Sequence, residues 1–298
     1  MTRLQRALLS WYRRSGRKSL PWRQTRDPYQ ILVSEFMLQQ TQVDRVIPSF
    51  HRFLKQFPNF AALAAARTSD VVRAWKGLGY NTRAVRLKRI AEEVVNDHGG
   101  SLPIENKALR AMLGIGAYTA SAVRVFAFDR NDVAFDANVR RVVRRLVFGR
   151  ADSVSEALLQ AQAHSLLPHG SAHAWNSALM DLGALICTAR APSCSTCPVE
   201  DFCAAAPLEP TRKEAPTRGA KPTQERIPFP LTTRFARGRI VDRLRALPDG
   251  QRISLFDLRS ELSGVLATAS LELVEPLIVQ LERDGIVQRD GDLVALSD

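Results

Sequence analysis

The 298-residue sequence contains no run approaching 18 consecutive apolar residues, which excludes the usual kind of membrane-spanning helix. Its opening stretch, MTRLQRALLSWYRRSGRKSLPW, lacks the long apolar core and small-residue cleavage site of a secretory signal. LQRALLSWY has instead the amphipathic spacing of a helix belonging to the fold, so the expected compartment is the cytoplasm, with nucleoid association if the source is bacterial. Acid is also scarce: thirty Asp and Glu stand against forty-two Lys and Arg, leaving +12 and a pI near 10.2. That deficit points to a polyanionic partner, and without a membrane segment nucleic acid is expected before a lipid surface. Cysteine is missing everywhere except in one 17-residue window.

The four cysteines there, Cys187, Cys194, Cys197 and Cys203, are spaced C-x6-C-x2-C-x5-C. A reducing compartment argues against two disulfides in so small a loop. Four thiolates in one short segment suit zinc or an iron–sulfur cluster. Zinc ribbons usually place two C-x2-C pairs on separate knuckles, and only Cys194 and Cys197 form such a pair, so a 4Fe–4S cluster is favoured. Arg190, between the first two ligands, is a candidate phosphate contact on the loop the cluster stiffens.

Two carboxylates stand out. Glu35 lies within ILVSEFMLQQTQV, and in a helix it shares a face with Ile31, Leu32 and Leu38. Burial there disfavours the charged form, which is what a general acid near neutral pH requires. The bland alternative is a partly exposed Glu on a helix edge. Asp136, in FDAN before VRRVVRRL, reads as a helix N-cap, where the helix dipole favours negative charge. One acid kept neutral and one kept ionised is the pairing expected for cleavage through a glycosyl cation. Upstream, a helix with apolar Leu109, Met112 and Leu113 runs into Gly114-Ile115-Gly116 and then a second, Ala/Val-rich helix. That is a hairpin whose backbone N–H groups can grip a phosphate without reading sequence. The Arg pairs at 140/141 and 144/145 are expected partly on the outer face, available to phosphates or simply solvated.

Taken in order, LPWR, SEFMLQQTQV, GLGY, LGIGAYTA, FDANVRRV and MDLGALIC with the cysteine loop resemble the adenine DNA glycosylases of the MutY type, in the helix-hairpin-helix glycosylase superfamily. The resemblance covers roughly residues 5 to 205. It implies an all-α fold of two helical lobes with a DNA cleft between them and a 4Fe–4S loop at one end. It implies hydrolysis of the bond between adenine and deoxyribose where adenine lies opposite 8-oxoguanine or guanine. Glu35 then matches the acid that protonates adenine N7, and Asp136 the carboxylate that stabilises the C1′ cation or briefly bonds to it. Tyr118 and Asn138 match residues orienting these acids. Trp22, Arg23 and Asp181 match positions around the extruded base, and Gln40 and Tyr80 match side chains that enter the duplex beside the lesion. The implied partner is double-stranded DNA carrying A:8-oxoguanine or A:G, bound by a monomer.

The sequence departs from the family pattern in three places. Asn81 follows GLGY where many members carry a second Tyr. Tyr118 occupies the position at which bifunctional relatives of the endonuclease III type place a lysine, so a monofunctional enzyme is expected. Thymine glycosylases acting on T/G mismatches carry a similar Tyr, which keeps that substrate open as an alternative; a non-catalytic iron–sulfur DNA-binding regulator is a more distant one. The third departure follows the catalytic domain expected over residues 1–205. Six prolines and five basic residues read as an extended linker over 206–231, and 232–298 carry no motif of the Nudix-like domain found in many adenine glycosylases. Here RGRIVDRLRAL, FDLRSEL and LELVEPLIVQLERDGI read as helices and IVQRDGDLVALSD as a hairpin turning near Asp290-Gly291-Asp292. That pattern predicts a small winged-helix-like module that either binds DNA or only packs on the catalytic part.

Overall fold

A computed structural model describes residues 1–149, 153–206 and 227–298, so most of the expected linker lies outside the described residues. The chain is mainly helical, and no described helix is long and apolar enough to cross a membrane. Packing groups the described residues into two compact units, 1–35 with 103–206 and 36–102 with 227–298.

The first unit is all-α. Its opening helix, Arg3–Ser15, starts with a reciprocal capping box between Thr2 and Gln5 and buries Leu8, Leu9, Trp11 and Tyr12 along one stripe. It stops at Gly16, where an added Cβ would come within 2.2 Å of the Tyr12 ring. Ala137–Phe148 buries Val139, Val142, Val143 and Leu146, spaced at i, i+3, i+4 and i+7, and packs against Ala172–Leu185, whose Trp175 and Leu179 are fully buried. The helical hairpin forms as expected, with helices Asn106–Ala111 and Ala117–Phe126 joined through Gly114 at φ +94°. Leu109, Met112 and Ile115 anchor it in the core, whereas Leu113 points out at the tip and is exposed.

The second unit joins Val43–Gln56, Phe60–Ala65, Thr68–Ala74 and Thr82–Asp97 to the C-terminal segment. That segment has helices Thr233–Arg245, Leu255–Leu262, Thr268–Leu271 and Val274–Arg283, and a hairpin of Val287–Asp290 with Leu293–Leu296 turning at Gly291. A two-residue strand, Ile253–Ser254, pairs with Leu293–Leu296 on its other edge and completes the winged-helix arrangement. Two residues leave no periodicity to read, so the sequence did not announce it. The linear division at 205 and 232 differs from the packing, because Val72 and Val85 share one core with Ile240, Val241, Leu244, Leu258, Leu277 and Ile278. Each such buried side chain is worth about 1.5–3 kcal/mol, so the segment is fixed to this unit by its core.

Candidate active site

Both carboxylates belong to the first unit. Glu35 lies in the Pro28–Leu38 helix among Ile31, Leu32 and Val33, which are almost wholly buried, and is itself 6% exposed. Burial pushes its pKa from 4.5 up to about 7. A hydrogen bond from the Tyr118 hydroxyl and the nearby Arg23 guanidinium pull it down, and Asp136 pushes it up. The edge-of-helix alternative for Glu35 is therefore set aside: it is a buried acid poised near neutrality. Tyr118 sits in the first turn of Ala117–Phe126, half-buried, with its hydroxyl hydrogen-bonded to Glu35. Burial, then the two carboxylates, raise its pKa well above the ordinary phenol value, so it acts as a donor.

Asp136 caps Ala137–Phe148, its Oδ1 accepting from the Val139 backbone N–H at 2.7 Å. Its Oδ2 accepts from the Asn138 amide at 3.0 Å. The segment leading into Asp136 is fixed by Asn176, which is fully buried, accepts from the Ala134 N–H at 2.8 Å and donates to the Asp132 carbonyl at 3.0 Å. Asn138 is held in turn by Arg141, which donates to its Oδ1 at 2.7 Å. Gly183 lets the neighbouring helix approach, since a Cβ there would lie 2.7 Å from the Asn138 Cβ.

The expected base-contacting residues take different parts. Trp22 is buried, and Arg23 stacks over Phe126 at 5.2 Å, with its Nη1 buried and without a hydrogen-bond partner among the described residues. Asp181, expected beside the base, is fully buried and occupied. Its Oδ2 accepts from the Arg17 backbone N–H at 2.8 Å, and its Oδ1 from Arg17 Nε and Nη2 at 2.9 and 2.7 Å. Here it ties two distant chain segments together instead of presenting an acceptor. His173, which the sequence did not single out, lies edge-on to Phe126 and is kept neutral, its pKa lowered to about 4 by burial and then by Arg26 and Arg23.

Gln40 and Tyr80 belong to the second unit, and both hold the left-handed backbone conformation, at φ +56° and +46°. Non-glycine residues adopt it at a cost of about 1–3 kcal/mol, and such strain concentrates at functional sites. Arg83 imposes it. This buried side chain donates to the carbonyls of Phe36 and Met37 at the end of the Pro28–Leu38 helix, of Gln39 just after it, and of Leu78 and Gly79, at 2.7–3.0 Å. A lone Arg in a helical pattern gave no hint of that role. Gly114 and Gly116 sit at the hairpin tip, and a Cβ at Gly116 would meet nothing within 4 Å, so the space outside it is open. The N–H groups beginning Ala117–Phe126 have no side-chain cap, as an anion-gripping turn requires.

Cys187, Cys194, Cys197 and Cys203 line one pocket together with Arg145, Ile186 and Pro192. Four free thiols lining one space are the donor set of a thiolate-held metal centre or iron–sulfur cluster. Burial pushes the Cys197 thiol up to about 11 and raises Cys203, so ionised thiols need cationic company. Arg145 supplies some, 3.3 Å from Cys187 Sγ, and donates to the Thr188 and Ala189 carbonyls at 2.7 and 3.1 Å. Arg141 donates to the Cys187 and Gly183 carbonyls at 2.8 and 2.7 Å. Two of the four helix arginines expected on the outer face thus turn inward onto this loop. Arg190 is exposed on it.

Comparison with known proteins places these observations. Residues 33–167 match the HhH-GPD superfamily of base excision DNA repair proteins, and 187–203 match the iron–sulfur binding domain of endonuclease III. The chain is 44% identical over 243 residues to the adenine DNA glycosylase of Mycobacterium tuberculosis, covering 80% of this chain and 77% of that one. It is 45% identical to that of Mycolicibacterium smegmatis over 64% of this chain and 66% of the relative. A solved thermostable thymine-DNA glycosylase is 33% identical with a TM-score of 0.63, over 67% of this chain and 94% of that one. The four cysteines hold a 4Fe–4S cluster, and the chain belongs to the adenine DNA glycosylase family of the HhH-GPD superfamily of base excision DNA repair proteins.

Proposed function

We propose that this protein excises adenine from A:8-oxoguanine and A:G mispairs by hydrolysing its bond to deoxyribose, without cutting the strand itself. The observation that carries the reading is Glu35: a buried carboxyl with a pKa near 7, hydrogen-bonded by Tyr118 and electrostatically coupled to Asp136. Adenine leaves poorly until N7 is protonated, and a carboxyl of that pKa retains a proton to give at neutral pH. As the bond lengthens, positive charge grows on C1′, where the Asp136 carboxylate, oriented by Asn138 and Val139, stabilises it. Trp22 and the unpartnered Nη1 of Arg23 are suited to receive the extruded base, by stacking and by donation to a ring acceptor. Gln40 and Tyr80 fill the duplex, and the hairpin at Gly114–Gly116 with Arg190 holds phosphates. The absence of a lysine at position 118 leaves no amine there for Schiff-base strand cleavage. The cluster's part is to order residues 187–203.

The similarity to a thymine-DNA glycosylase gives the competing reading. Duplexes carrying A:8-oxoguanine, A:G, T:G or thymine glycol, incubated with the protein and then treated with alkali, decide between them. Breaks confined to the adenine duplexes are expected, and breaks at T:G alone would overturn the assignment. Breaks without alkali would refute the monofunctional mechanism.

A further inference from the structure

The C-terminal module looks like a DNA reader and has the wrong charge for one. Residues 232–298 contain nine arginines, no lysine and eleven Asp and Glu, a balance of −2 in a chain of +12, and nine of those acids lie beyond residue 252. Its would-be reading helix, Val274–Arg283, exposes Glu275 and Glu282, with Glu272 just before it, and the hairpin tip exposes Asp290 and Asp292. Phosphate contacts supply much of the affinity for DNA, and this face repels them.

Arg259 and Arg283 are exposed, but Arg245 and Arg234 are engaged within the module's own unit. Arg245 is buried and donates three ways: Nε to the Val72 carbonyl at 3.0 Å, Nη1 to Asp242 at 2.9 Å and Nη2 to Asn81 Oδ1 at 2.7 Å. Asn81 is free to accept because, although it stands at the N-cap of Thr82–Asp97, its side chain makes no capping bond. Arg234 lies over the Tyr80 ring at 4.3 Å. Asp249 pairs with Arg67 and Arg73 at 2.7 and 2.9 Å, and Val72 and Val85 enter the module's core. The module therefore grips both helices that flank the loop of residues 75–81, and touches the last two residues of that loop directly.

We infer that this module is an internal brace for the loop that carries Tyr80, with Arg245 acting through Asn81 and Arg234 on the ring as positioning residues. Asn81 is then the docking point of the brace, which accounts for its departure from the second Tyr common in the family. This inference rests on the reading of Tyr80 as the side chain that enters the duplex.

The test uses the full-length protein. Arg245→Met keeps the aliphatic stem and removes the donors; Asn81→Ala removes the acceptor, and Asn81→Asp restores one. The brace predicts faster hydrogen exchange at the amides of residues 77–82 in Arg245→Met and Asn81→Ala, with wild-type exchange in Asn81→Asp. It predicts a loss of about tenfold in preference for mispaired over fully paired duplex in each of the first two. The double variant should lose no more than Arg245→Met alone, because that change already breaks the one bond that Asn81→Ala removes. Unchanged exchange in Arg245→Met, or additive losses in the double variant, would overturn the brace. Arg259→Ala combined with Arg283→Ala should leave duplex affinity within about twofold, and a loss of about tenfold would make the module a DNA reader instead. Exchange and affinity are measured without excision, so a wild-type protein inactive on adenine would refute the proposed reaction while these readouts still judged the brace.

Discussion

Replacing Glu35 with glutamine should abolish excision and stabilise the protein, and the second effect tests the first. The carboxyl is buried, and its pKa rises from 4.5 to about 7 chiefly because burial penalises the charged form. The folded protein then binds the proton more tightly than the unfolded chain. Below about pH 4.5 both states are protonated and burial of the carboxyl carries no ionisation penalty. Between 4.5 and about 7 stability falls as pH rises, and above about 7 the loss is complete and constant. At about 1.4 kcal/mol for each tenfold difference in proton affinity, the whole loss is about 3 kcal/mol. Glutamine is neutral throughout, nearly isosteric and still able to accept from Tyr118. Glu35→Gln should therefore match wild type near pH 4.5 and exceed it by about 3 kcal/mol at pH 8. At roughly 2 °C per kcal/mol for a chain of this size, the thermal midpoint should rise by about 6 °C. Calorimetry of both proteins from pH 4.5 to 8 reads the difference directly, and the other titrating groups cancel in the subtraction. A difference that does not grow with pH would show that Glu35 is not a buried acid titrating near 7, and the proton donor would have to be sought elsewhere. The same titration sets the activity profile: single-turnover excision by wild type should decline as pH rises above about 7.

Two other perturbations separate holding residues from reacting ones. Asp181→Asn removes the charge that accepts three hydrogen bonds from Arg17 and lies 4.0 Å from Arg23. It should cost on the order of 3 kcal/mol in denaturant titrations, and a base-contact role would show instead as lost adenine affinity at unchanged stability. Gly183→Ala drives a methyl group against Asn138, 2.7 Å from its Cβ. Displacing Asn138 and with it Asp136 should slow single-turnover excision about a hundredfold while duplex affinity stays near wild type; an unchanged rate would remove Asn138 from the machinery.

What the sequence determined by itself was local. The cysteine spacing, the Gly114-Ile115-Gly116 turn, the capping aspartate and the apolar stripe around Glu35 are patterns of a few residues, and each states its chemistry through backbone geometry or burial alone. The C-terminal helices and hairpin were legible for the same reason. Tertiary structure decided which charged groups are occupied. Arg17 and Asp181 are 164 residues apart and Arg141 bonds a carbonyl 46 residues away, separations over which no periodicity operates. Arg83 reads as one more helix cation until its partners are a helix end and a loop closed around it. Arginines that look available for phosphate in the sequence are spent on carbonyls in the fold, because a buried carbonyl without a donor costs more than a solvated cation gains. Composition gave the protein its polyanionic partner, and packing decided which of its cations are held inside.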